Sequence, residues 1–423
     1  METTFSSGLV WLRRDLRVAD HAALYHALKH CQRVHVAFVF DTAILDKLPR
    51  ADRRVEFIRE SLVEVDAQLR QLAGHAQAGL IVRHGVAQDK IPKLAHHLQV
   101  QAVFANHDDE PEALARDIQV RGHLADHGIV LHTYKDHVIF ERHEVLTQVG
   151  KPFAVFTPYK NAWLKKITPF DLKAYPVEKY AHHLAPRPDN LAQPVPALQD
   201  IDFESTNLKA LKIPTGESGG QALLADFLNR IDHYEDTRNF PAVKGPSYLS
   251  VHLRFGTVSI RQLAREAHAR MTAGSAGAAV WLSELIWRDF YVQVLHNFAH
   301  VGRGQSFKPE YDAIEWEHGP HAHKLFNASK IETEPCPSET APVLSPSKNL
   351  SVSAVLFKST SALPRSKPQC QQFLNDVNRC ERLPFTPRPD GQGALLQLGQ
   401  QSNKSQRCLM HDVMNPNRQI NRK

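Results

Sequence analysis

The first third of the chain alternates short apolar runs with amphipathic stretches. GLVWL is followed by HAALYHALKH, VHVAFVF by RRVEFIRESLVEVDAQLRQL, GLIVRHG by DKIPKLAHHL, AVFANHD by PEALARDIQVRGHLADHG, and IVLHTYK closes the series. Runs that are apolar at nearly every position suit strands covered on both faces, while the stretches between them space their apolar residues for one face of a helix. The alternation predicts a doubly wound, Rossmann-like α/β domain with a parallel sheet over residues 1–135. Ligands of such sheets sit beyond the carboxyl ends of the strands, which makes RRDLR (13–17) and NHDDE (106–110) candidate rim segments. Neither a GxGxxG turn nor a GxxxxGK[ST] loop occurs there, and this weighs against a dinucleotide oxidoreductase or a phosphate-loop NTPase.

Residues 136–215 become proline-rich after 167, with PRPDNLAQPVP, and predict an interdomain linker. Helical periodicity resumes in QALLADFLNRIDHYEDT and IRQLAREAHARM, so residues 216–328 form an all-helical second domain. Within WLSELIWRDFY (281–291), Trp281, Glu284, Trp287, Arg288 and Tyr291 share one arc of about 120° at about 100° per residue. Leu282, Ile286 and Phe290 supply the apolar side that seats the helix. The mixed face is either a buried polar seam or a binding surface, since a flat indole can stack on a base and a carboxylate can bond a base edge. Upstream, GPSYLS places Ser247 and Ser250 before a helix-like stretch, where hydroxyls and free N–H groups either cap the helix or hold a phosphate.

Composition adds several exclusions. A chain of 423 residues with 42 % hydrophobic content supplies ordinary globular cores, and it contains no apolar run of membrane-spanning length. The N-terminus METTFSSGLVWLRR lacks the order of a signal peptide, so a cytoplasmic protein is expected, nucleoid-associated if bacterial and with no membrane contact. The five cysteines, at 31, 336, 370, 380 and 408, have neither zinc spacing nor a disulfide framework. HAALYHALKH and HGPHAH lack carboxylate or cysteine partners at ligand spacing, and no metal is expected. The net charge of +6 is local: residues 329–423 hold 13 Lys and Arg against 7 Asp and Glu, leaving 38 of each before them. That tail also carries ten of the 26 prolines and no tryptophan or tyrosine, and it is expected to be disordered.

The motifs LVWLRRDLRVADHAAL, FTPYKNAWLKK, YEDTRNFPAV, PSYLS, RFGTVS and WLSELIWRDFY occur in the order and approximate spacing of the DNA photolyase/cryptochrome flavoproteins. Over residues 8–327 the chain most closely resembles bacterial cyclobutane pyrimidine dimer photolyases. The resemblance implies an α/β antenna-chromophore domain joined to a helical FAD-binding domain. It also implies a carbon–carbon lyase activity, light-dependent repair of UV-damaged DNA in which reduced FAD splits pyrimidine dimers by electron transfer. Tyr234 matches a flavin-contacting tyrosine, and Pro246, Ser247, Tyr248, Leu249 and Ser250 match the pyrophosphate loop, with Pro246 where a threonine is usual. Trp281, Glu284, Arg288 and Tyr291 fall on the helix that lines the flavin and lesion cavity. Arg238 matches a DNA-backbone contact, and Glu284 and Trp287 match the pair that bonds and stacks on the flipped dimer. Trp316 matches the outer member of a tryptophan electron-transfer chain. An antenna such as 5,10-methenyltetrahydrofolate is implied in addition, although Glu112 and Ala113 stand where an Asn-Glu pair is typical and Arg303 where a lysine is usual. A monomer is expected.

After HKLFNA the sequence departs from the family, whose Gly-Tyr-Pro, His-Asn-Arg and Asp/Asn/Gly/Trp-rich segments do not follow. The helical domain is therefore expected to be truncated, and the tail reads like an out-of-frame or foreign terminus. Two alternatives remain: a cryptochrome-like blue-light photoreceptor, and a non-catalytic remnant whose α/β domain folds alone. Retention of the Glu284 and Trp287 pair favours repair.

Overall fold

The computed structural model describes residues 4–315 and 318–324, all within one compact unit. Five parallel strands, β1 (Gly8–Leu12), β2 (Val34–Asp41), β3 (Leu80–Gly85), β4 (Ala102–Asn106) and β5 (Val130–Tyr134), form one sheet in the order β3-β2-β1-β4-β5. The helices between them are α1 (Ala22–His30), the short α2 (Thr42–Leu45), α3 (Arg53–Ala73), α4 (Ala87–His97) and α5 (Pro111–Ala125). The expected doubly wound sheet is present, and the reason lies in alternate positions of each strand. Val10, Leu12, Val36, Phe38 and Phe104 pack on one face with α1 and α3, while Leu9, Trp11, Ala37, Val39 and Val103 pack on the other with α4 and α5. Two buried faces require continuous apolar strands, as the sequence has them.

The stretch 136–215 crosses from the sheet to the helices while staying packed. Val177, Leu184, Val195, Leu198, Ile201, Phe203 and Leu208 join the core under α1 and α3, and α6 (Phe156–Lys166) puts Tyr159 and Trp163 into the helical core. That second core is built from α7 (Gly216–Leu228), α8 (Tyr234–Thr237), α9 (Ser250–Phe255), α10 (Ile260–Thr272) and α11 (Ala276–Asn297). No helix among the described residues is long and apolar enough to cross a membrane. The tail from 329 lies outside the described residues.

The sheet reverses its strand order between β1 and β4, the place where α/β proteins usually hold a ligand. Here the expected rim segments bond one another and the helical lobe instead. Arg13 bonds Asp117 at 2.6 Å and the Asn106 carbonyl. Arg14 reaches Glu110 at 2.8 Å, which also accepts from Arg254 of α9 at 2.6 Å. Opposite charges converge on the strand ends and neutralise each other, so the crevice is a seam between the two lobes.

Asp136 is the centre of that seam. Its carboxylate is fully buried and accepts from Arg17 at 2.7 Å, from Arg261 of α10 at 2.7 Å and from the Ala22 N–H at 3.1 Å. Burial alone would raise its pKa, but Arg17 and Arg261 outweigh burial and hold it well below the usual carboxylate range. Arg261 also binds Asp20 at 2.9 Å, and Arg17 donates to the Gly256 carbonyl at 3.0 Å. Gly256 closes α9 at φ 64°, and a Cβ there would meet the Arg14 carbonyl oxygen at 2.2 Å, so only glycine lets the lobes approach this closely.

Removing one partner from a buried charge cluster costs roughly 3–5 kcal/mol, because the remaining charges lose their compensation. Asp136→Ala is expected to lose about that much in urea unfolding. Arg270→Ala, which opens a partly exposed i,i+4 pair with Glu266, should lose less than about 1 kcal/mol. Equal losses for the two variants would remove Asp136 from its place in this account.

Candidate functional site

Ser275 caps α11 by accepting from the Ala278 N–H, and Leu282, Ile286 and Phe290 seat the helix as its apolar spacing requires. The five residues of the mixed face take three different roles. Trp281 is only 3 % exposed and packs against Phe227 at 4.8 Å, so it belongs to the core. Arg288 turns into the seam and donates to the carbonyls of His137 and Leu253. Burial lowers its pKa to about 10. Glu284, Trp287 and Tyr291 stay half-buried at the surface of the helix.

Arg238, which follows α8, brings the segment before the loop onto this face. Its guanidinium donates to Glu284 Oε1 at 2.6 Å and lies 5.4 Å over the Tyr234 ring. Tyr234 in turn meets Phe227 edge-on at 5.7 Å. Trp287 is not a bare platform: Phe156, at the start of α6, stacks on it at 3.6 Å with 7° between the rings, and Tyr291 lies near-parallel at 5.3 Å. Thus Tyr234, Arg238, Glu284, Trp287 and Tyr291 converge, while Trp281 and Arg288 serve the core and the seam.

The loop from 239 to 249 runs beside them. Gly245 packs on α8 so closely that a Cβ would meet the Thr237 backbone at 2.8 Å. Arg230 holds the next residue by donating to the Pro246 carbonyl at 2.9 Å. Ser247 Oγ accepts from the Leu249 N–H at 3.4 Å, and Leu249 is fully buried in the helical core. Tyr248 takes a left-handed conformation at φ 57° and is exposed, and Ser250 begins α9, whose N-terminus has no side-chain cap. The first N–H groups of a helix lack intrahelical acceptors, so this turn offers backbone donors and two hydroxyls to an anion. A diphosphate fits that donor set. A pocket of about 400 Å³ lies elsewhere, lined by Asp20, Tyr175, Glu217, Gln221, Gln262 and Arg265.

Of the antenna positions, Ala113 is buried in α5 while Glu112 and Arg303 are exposed. Gly302 packs against Pro111, so the segments carrying Glu112 and Arg303 are neighbours. Trp316 lies outside the described residues. Among the described residues no group of three or more His, Cys, Asp or Glu is placed to hold a metal.

Asp289 went unnoticed in the sequence. It is 1 % exposed, and its Oδ2 accepts from the N–H groups of Ile139 and Phe140, each at 3.1 Å, and from Trp163 Nε1 at 2.9 Å. It ties α11 to α6 and to the strand-end segment. The available signal was an acid placed among the apolar positions of the helix, next to Leu285 and Phe290.

A family model described as DNA photolyase matches residues 8–179. The chain is 31 % identical over 328 residues to a deoxyribodipyrimidine photo-lyase of Synechococcus sp., an alignment covering 76 % of this chain and 66 % of that protein. It is 30 % identical over 326 residues to a deoxyribodipyrimidine photo-lyase of Vibrio cholerae, covering 76 % and 68 % respectively. Among solved structures, an archaeal photolyase from Sulfolobus tokodaii, described with two FAD molecules, superposes with a TM-score of 0.59 at 26 % identity, over 77 % of this chain and 66 % of that one. The chain therefore spans about two thirds of the length of the relatives it matches.

Burial raises the pKa of Asp289 from 3.8 to about 6, against the hydrogen bonds it accepts and the nearby Arg288. The folded protein then holds this proton more tightly than the unfolded chain does. The contribution favours folding below about pH 4 and is lost as pH rises to about 6. Asp289→Asn removes that titration, so the melting temperature of the wild type relative to the variant should fall as pH rises from about 4 to about 6. A difference that stays constant across this window would contradict the assignment.

Proposed function

We propose that this chain, which belongs to the DNA photolyase family, is a flavin-dependent, light-driven DNA repair protein that acts as a monomer on pyrimidine dimers inside the cell. The observation that carries the reading is the convergence of Tyr234, Arg238, Glu284 and Trp287 beside the donor-rich turn at Tyr248–Ser250. FAD is the cofactor of the proposal. Ser247, Ser250 and the backbone of the first turn of α9 would hold its diphosphate, with Tyr234 beside it. Bound and reduced, it would lend an electron under light to open the cyclobutane ring and take that electron back once the two bases separate.

The chain's own residues do the recognition. Arg238 is a phosphate partner, since a guanidinium bonds phosphate oxygens in a fork. Glu284 is an acceptor for a base edge, and Trp287, with Phe156 fixing its orientation, bounds the space a flipped base enters. A damaged pair leaves the helix more cheaply than an intact one, which directs the face toward dimers. A signalling receptor has no need of the Glu284 and Trp287 pair, so repair is preferred over that alternative. A second, light-gathering cofactor such as a reduced folate would lie against the neighbouring segments that carry Glu112 and Arg303, where both residues depart from those usual in the family.

The test is illumination of the full chain, reconstituted with FAD and reduced, in the presence of an oligonucleotide carrying one thymine dimer. Light-dependent loss of the dimer is expected, and Trp287→Ala should weaken binding of that oligonucleotide by about 1–3 kcal/mol. A reconstituted, reduced protein that leaves the dimer intact under light would overturn the reading.

A further inference from the structure

We propose that the Arg238–Glu284 ion pair is an exchange lock, which makes recognition of a base depend on prior capture of a backbone phosphate. The inference rests on the DNA-repair reading above and adds a rule for how its two recognition groups work together. Both side chains are 28 % exposed and their charged atoms are 2.6 Å apart, so each proposed ligand group is occupied by the other. Arg238 follows the four-residue α8, and Glu284 projects from the third turn of α11. α8 packs directly on α11 and is also approached closely by Gly245, so the two backbones are held together. Opening the pair thus needs only side-chain rotation.

The chemistry sets the order of events. A half-exposed ion pair is weak because water competes for both partners. A phosphate oxygen is a strong competing acceptor for the guanidinium, and several phosphates arrive along a strand before any base is extruded. Once Arg238 turns to phosphate, the Glu284 carboxylate loses its partner and becomes free to accept from the N–H groups of a base edge. A free nucleobase brings no phosphate and must compete with Arg238 for the carboxylate. The lock therefore favours bases presented by a strand over isolated ones.

Binding of the full chain to an undamaged oligothymidylate, at one fixed salt concentration, tests the proposal through a double-mutant cycle. Glu284→Gln removes this charged partner from Arg238 in advance and should tighten binding about two- to fivefold, and in an Arg238→Gln background that gain should disappear. Glu235→Gln, on the exposed side of α8, measures the effect of removing a negative charge alone and should give a smaller gain. Thermal melting of each variant verifies that it is folded. If Glu284→Gln tightens binding equally with and without Arg238, or no more than Glu235→Gln does, the lock is wrong while the DNA reading stands. If the folded wild type binds neither this oligonucleotide nor one carrying a dimer, the DNA reading fails and the lock fails with it.

Discussion

Everything else in the molecule is arranged around a carboxylate that water does not reach, Asp136 held between Arg17 and Arg261. Three buried charges would be unfavourable separately, and they persist because each satisfies the others and the backbone around them. Arg17 comes from the turn after β1 and Arg261 from α10, so the ion cluster fixes the sheet to the helices. Asp20, Ser259 and the Gly256 carbonyl extend the same join. The usual ligand crevice of a doubly wound sheet has in this way become internal structure.

That use of the crevice explains where a binding face can lie. With the strand ends closed, α8, α9 and α11 still present polar groups at partial exposure. Asp289 holds α11 against α6 from below, and this brings Phe156 onto Trp287. Arg230 and Gly245 press the 239–249 loop against α8. These supports lie inside the fold, whereas the pair of Arg238 and Glu284 is partly exposed and open to exchange. Stability and recognition therefore draw on different charges.

The sheet was legible because its signal is local. Each strand is a continuous apolar run, and each helix repeats its apolar residues within a few turns. The 281–291 helix was legible for the same reason, although its arc could not tell which residue faced the core, the seam or the surface. Those distinctions depend on partners far away in the chain. Arg261 bonds Asp136 across 125 residues and Asp20 across 241, and neither pairing leaves a periodic trace. In IRQLAREAHARM, Arg261 reads as one more polar position of an amphipathic helix. RRDLR and NHDDE were legible as segments at the strand ends, but their contacts with one another and with Arg254 were not, because the partners lie far apart in the chain. Asp289 was missed although its signal was local, an acid among the apolar positions of its helix.

The α8–α9–α11 face, supported by this buried seam, is the proposed flavin site. Titration of the full chain with FAD, followed by quenching of flavin fluorescence, tests it most directly. Saturable binding is expected, ending at one FAD per chain and weakening when Ser247 and Ser250 are both replaced by alanine. The absence of saturable binding by a chain shown to be folded, or binding indifferent to both serines, would contradict it.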